Sequence, residues 1–187
     1  TLELRNEQLM AALSSQALAI IASFNPQDLA NTAWAFASLD VNDDPLLKAI
    51  AAASLRTLAD FKPQNLTNIA WALARLALPD EPLLDALASA SLATLAEFNS
   101  QNLGNTAWAF ASLSCAHAPL LEAISSEALT KIADFIPQEL SNIAWALAKL
   151  ELHDAPLLNA IAAAAIAKLQ HLNMQDIANI AWALAKL

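Results

Sequence analysis

Glutamine, asparagine and tryptophan are the residues of this 187-residue chain whose types and spacing suit chemistry, and the chemistry is recognition. Trp34, Trp71, Trp108, Trp145 and Trp182 each stand 37 residues from the next. Three residues before each comes an asparagine: Asn31, Asn68, Asn105, Asn142 and Asn179. Seven residues before each comes a glutamine: Gln27, Gln64, Gln101, Gln138 and Gln175. Side-chain amides both donate and accept hydrogen bonds, so they match a peptide backbone or the edges of nucleobases. Indole rings stack on bases or cover the apolar groups of a peptide. Four residues beyond the tryptophans stand Ser38, Arg75, Ser112, Lys149 and Lys186. These make the same strip locally neutral or positive.

Residues that could carry a reaction form no constellation. His117, His153 and His171 lack metal-ligand spacing, and there is no H-E-x-x-H or cysteine cluster. Cys115 is the single cysteine, and His117 two positions away lies in an expected loop; the reading is an inert thiol. Gly104 is the only glycine, so no glycine-rich phosphate loop exists. No enzyme activity, cofactor, metal or small-molecule substrate is expected.

Nine basic against eighteen acidic residues leave a net charge of −9. Nucleic-acid binders usually present a basic face, because affinity rests largely on phosphate neutralisation. The balance therefore disfavours nucleic acid as a default ligand, and an anionic membrane surface with it. No apolar run reaches the roughly 18 residues a spanning helix needs, so membrane insertion is not expected. No signal or transit peptide is visible.

A fixed period of 20–50 residues is the mark of a solenoid or array. In the unit around Trp71 the first half carries Leu47, Ile50, Leu58 and Phe61 on one face of an amphipathic helix. Pro45, Pro82, Pro119 and Pro156 recur where a first helical turn tolerates a missing N–H. Asp43–Asp44, Asp80–Glu81 and Asp154 put carboxylates at the positive ends of those helices. The second half restarts at Pro26, Pro63 and Pro137, with Ser100 and Met174 as variants. Asn25 and Asn99 are N-caps there, and Asp28 completes a capping box. The short Phe61-Lys62-Pro63 junction predicts an antiparallel hairpin.

The expectation is an all-α, right-handed α-solenoid of five stacked helix-turn-helix repeats, ten antiparallel helices in one domain. Its repeats span about 6–39, 43–76, 80–113, 117–150 and 154–187. Thr32 accompanies Phe36 and Thr106 accompanies Phe110, whereas Ile69, Ile143 and Ile180 accompany Leu73, Leu147 and Leu184. Each pair is i,i+4, and its summed volume is roughly constant, as a packed interior requires. These positions are expected to be core. Thr1 begins just before a first helix whose Gln8 takes the proline position, and Leu187 ends the last helix without a polar cap. Solenoid ends need such a cap, so the chain reads as a segment of a longer array, or one that docks its ends on partners.

On the second helix, with Gln27 at the origin, Asn31 falls at about 40°, Trp34 at about 340° and Ser38 at about 20°, opposite Leu29, Ala33 and Phe36. Gln, Asn and Trp therefore form a ridge, and stacking turns it into parallel ladders. A structural role competes with ligand binding: the amides would bond the adjoining repeat's backbone, and the indoles would fill the seam between units. Nearby positions vary, namely Asp28, Asn65, Asn102, Glu139, Asp176 and Ala30, Thr67, Gly104, Ser141, Ala178. They are candidates for sequence readout or for plain surface drift.

The motifs P-Q-D-L-A-N-T-A-W-A-F-A-S-L (26–39) and P-Q-N-L-T-N-I-A-W-A-L-A-R-L (63–76) resemble the octotricopeptide repeat family, and the resemblance covers essentially the whole chain. It implies paired helices stacked in a superhelix, in an organelle (chloroplast or mitochondrion). Many members bind organellar transcripts and control their stability, splicing or translation; some helical-repeat proteins of this kind are built into large organellar assemblies. Two readings follow. One is a non-catalytic scaffold docking a protein partner or larger assembly through the ridge; the other is a factor that binds single-stranded RNA there.

Overall fold

The computed structural model describes residues 7–187, which form ten α-helices and no strand. The first helices of the five units are α1 (Glu7–Ile20), α3 (Asp44–Thr57), α5 (Glu81–Ala93), α7 (Ala118–Lys131) and α9 (Ala155–Ala167). The second helices are α2 (Pro26–Ser38), α4 (Pro63–Arg75), α6 (Ser100–Ser112), α8 (Pro137–Lys149) and α10 (Met174–Lys186). The architecture is an α-solenoid. Gln8 lies in the first turn of α1, and Thr1 lies outside the described residues.

Local chemistry sets each boundary. The first helices are capped by Asp43, Asp80 and Asp154, whose Oδ1 atoms accept from the backbone N–H three residues on at 3.0–3.1 Å. His117 fills the same place in the fourth unit, its Nδ1 accepting from Leu120 N at 3.2 Å. The second helices open with capping boxes at Asn25–Asp28, Asn99–Asn102 and Asn173–Asp176. Lys62 and Ile136 have no capping side chain. There the N3 residue still acts, Asn65 Oδ1 and Glu139 Oε2 accepting from the backbone N–H of Lys62 and Ile136.

The apolar face of the first half does not belong to one continuous helix. α3 ends at Thr57, Leu58–Asp60 form a 3₁₀ turn, and Phe61 is extended. Every unit repeats this step. The tighter turn drops Phe61, Phe98 and Phe135 into the interior, where they are buried.

The second helices end without glycine. Asp40, Ala77, Ser114 and Glu151 all adopt a left-handed conformation, with φ between 52° and 58°. Val41, Leu78, Cys115 and Leu152 then donate their N–H back to Phe36, Leu73, Phe110 and Leu147, each at 2.9 Å. This is the Schellman arrangement, which satisfies orphan carbonyls and brings two apolar side chains together. The lone cysteine is accounted for here: it is the apolar closing residue of the third unit.

Second helices pack against one another along the array much more closely than first helices do. Small residues permit it: Ala33, Ala37, Ala70, Ala107, Ala111 and Ala144 are buried in that layer. Units spaced more tightly on one side bend toward that side, which puts the second helices on the inside of the curve. The volume-matched pairs lie in the core, with two departures. Thr32 is half-buried, and Leu184 is 48% exposed, because no further unit covers α10 among the described residues.

Candidate interaction ridge

The predicted ridge exists as a face of the second helices. Gln27, Gln64, Gln101, Gln138 and Gln175 are exposed. Asn68, Asn105, Asn142 and Asn179 are half-buried, while Asn31 is exposed. Trp71, Trp108 and Trp145 are half-buried, and Trp34 and Trp182 are exposed.

The tryptophans form the most regular ladder. Successive ring centroids lie 6.3, 6.5 and 6.5 Å apart from Trp34 to Trp145, with interplanar angles of 33–35°. Tilted pairs at this separation are favourable beyond the area they bury. Trp182 leaves the pattern, and Lys186 Nζ stands 5.4 Å from its ring centre in cation–π range. Lys186 also pairs with Glu151 at 3.4 Å.

The amides are less uniform. Asn142 Nδ2 donates to Asn105 Oδ1 across one seam at 3.2 Å. Gln64 Nε2 donates to Asn68 Oδ1 within α4 at 2.7 Å, and its Oε1 accepts from Asn102 Nδ2 of the next unit at 3.4 Å. These cross-unit bonds run side chain to side chain, not to the adjoining backbone as the structural role supposed. Over the first three units the ridge is concave. Asn31, Trp34, Gln64, Asn68, Trp71, Gln101 and Asn105 line a groove of about 380 Å³. Arg75 and Lys149 are exposed at the far ends of their helices. Ser112 does not extend the strip, since its Oγ is buried without a hydrogen-bond partner.

The positions proposed as variable readers lie mostly in the seams. Ala30, Thr67, Asn102, Glu139, Ser141 and Asp176 are all buried, and so is Gly104. Asp28, Asn65, Asn102, Glu139 and Asp176 serve at N3, accepting from the cap N–H. The other set meets the next unit. A Cβ on Gly104 would come within 3.3 Å of the Glu139 carbonyl oxygen, Ser141 Oγ donates to Asp176 Oδ1 at 3.0 Å, and Thr67 bonds Thr106 at 3.2 Å. Seven of these ten positions are buried, while Asp28 and Ala178 are exposed and Asn65 is half-buried. In the interior seams the variable residues meet partners that differ from unit to unit.

Burial pushes the Cys115 thiol above its ordinary range, and the carboxylates of Asp85 and Glu81 add to the shift. A nucleophilic thiol needs the opposite environment. Among the described residues no group of three or more His, Cys, Asp or Glu side chains could hold a metal ion. No described helix is long and apolar enough to cross a membrane.

The family model of the RNA-editing substrate-binding complex 6 protein matches residues 1–152 and, overlapping, residues 81–187. The chain belongs to this family. No curated protein matches it. Together the two matches span all five units, each of which carries a Gln, an Asn and a Trp of the ridge.

Proposed function

We propose that the chain is a non-catalytic helical-repeat scaffold of an RNA-editing substrate-binding complex, and that its ridge docks an extended segment of a protein partner. The family's name supports membership of such a complex. The observation that carries the ligand class is the lining of the groove: amides and indoles, with neither lysine nor arginine. Phosphate recognition draws its affinity from cationic contacts, and this groove offers none. Peptide groups are neutral donor–acceptor pairs that Asn and Gln match. The 6.3–6.5 Å rise of the indole ladder is close to the roughly 6.6 Å that two residues of an extended strand span. An organellar setting belongs to the same proposal, carried by the octotricopeptide-like motifs.

The second reading is an octotricopeptide-type grip on single-stranded RNA, and Arg75 and Lys149, exposed at the C-terminal ends of α4 and α8, are what favour it. One comparison separates the two. The chain is presented with a displayed library of unstructured peptides and, separately, with a pool of short single-stranded RNAs over a salt series. The proposal expects enriched peptides whose binding is lost in Asn68→Ala and Asn105→Ala, and no RNA binding at low salt. RNA binding with a steep salt slope that flattens in Arg75→Ala/Lys149→Ala overturns it.

A further inference from the structure

Among the described residues, one of the five tryptophans faces a cation of this chain. Lys186 Nζ stands over the Trp182 ring, 5.4 Å from its centre. Arg75 and Lys149 hold the same place on α4 and α8, yet no other described indole carries a lysine or arginine. Trp34, Trp71, Trp108 and Trp145 therefore keep the negative π surface that attracts cations. Their successive ring centroids are 6.3–6.5 Å apart. A cation set against any gap of this ladder lies within about 6 Å of two rings at once.

Charge points the same way on both flanks of the groove that α2, α4 and α6 line. Where α2 and α4 end, the connections into α3 and α5 and the first turns of those helices carry Asp40, Asp43, Asp44, Asp80, Glu81 and Asp85. Against them stand Lys48, which pairs with Asp44 at 2.8 Å, and Arg75. Where the same second helices begin, Asp28, Asp60 and Glu97 are exposed, against Arg56 and Lys62. Each flank is net negative, and the groove between them is lined by amides and indoles without a charge.

We infer that the segment docked on the ridge is basic: an extended stretch of a partner protein with lysine or arginine at every second position, its cations on the indoles and its peptide groups on the amides. This rests on the reading of the groove as a peptide-docking site. Side chains on one face of an extended strand recur about every 6.6 Å, so alternate cations keep step with rings 6.3–6.5 Å apart. The negative flanks steer such a segment toward the groove, and the uncharged lining does not oppose it on arrival. A basic stretch with its cations in one block feels the same attraction but loses the register.

The displayed peptide library tests this directly: its enriched sequences are expected to carry lysine or arginine at alternate positions. In fluorescence anisotropy, a labelled peptide of alternating threonine and lysine is expected to bind about tenfold more tightly than one of equal composition with its lysines in a block. Trp34→Ala, at an exposed ring, should weaken that binding about five-fold, and Trp34→Phe, which keeps a π face, should recover part of the loss. Glu81→Gln/Asp85→Asn, both exposed, should weaken it at low salt and not at high salt. Far-ultraviolet circular dichroism confirms that each variant keeps its helix content. Enriched sequences without basic residues overturn the inference and leave the docking reading standing. So does a block peptide that binds as tightly as the alternating one, or an affinity unmoved by both Trp34→Ala and the charge-removing pair. A library with no enriched sequence, or an RNA pool that binds where peptides do not, overturns both.

Discussion

Two stripes of the same second helices behave oppositely. The ridge repeats Gln, Asn and Trp at every unit and faces solvent or a shallow groove. The seam stripe, one residue away at Asp28 and its counterparts, changes from unit to unit and is largely buried. Invariance marks a surface that all units share, and variation marks contacts that each neighbouring pair solves for itself. Glu139 beside Gly104 and Asp176 beside Ser141 are two such solutions, not interchangeable, so the seams specify which unit follows which.

Substitutions of graded size test that contrast. The largest effect is expected from Gly104→Leu. Its side chain would meet the α8 backbone at Glu139, and overpacking of this kind costs about 3 kcal/mol. Denaturant unfolding followed by tryptophan fluorescence should lose its single transition, since stability in an array passes through nearest-neighbour interfaces. Next comes Ser141→Ala, which removes the hydroxyl donated to Asp176. A hydrogen bond to a carboxylate contributes about 2 kcal/mol, and the denaturation midpoint should fall accordingly. On the first-helix side, Ser54 Oγ is buried without a partner, and the fourth and fifth units carry Ala128 and Ala165 at that position. Ser54→Ala is expected to raise stability by about 1 kcal/mol. The smallest change is expected on the ridge: Gln101→Ala should stay within about 0.5 kcal/mol of wild type. A ridge substitution as costly as Ser141→Ala would erase the distinction.

Much of this was legible in the residues. The tryptophan period, the prolines at first turns and the Asp caps located the helices, because each acts through local backbone chemistry that needs no tertiary context. The 3₁₀ step before Phe61 was not legible, since its apolar spacing also suits a continuing helix. Nor were the left-handed residues at Asp40, Ala77, Ser114 and Glu151, where no glycine announces the turn. A signal was present in the apolar Val41, Leu78, Cys115 and Leu152 that close each motif. The seam stripe was misjudged for a different reason. A helix in isolation shows which residues lie beside the hydrophobic face, but the second helices also bury their flanks against each other, and polar flank residues then look like surface.

The indole ladder has an optical consequence. Four chromophores held at 6.3–6.5 Å with a constant tilt couple their transition dipoles, and that coupling falls with the cube of their separation. Because the ladder runs along the inside of the curve, straightening the array spreads the rings and tightening it draws them together. The circular dichroism of the coupled indoles is thus a built-in gauge of curvature, readable without a label whenever something settles into the groove.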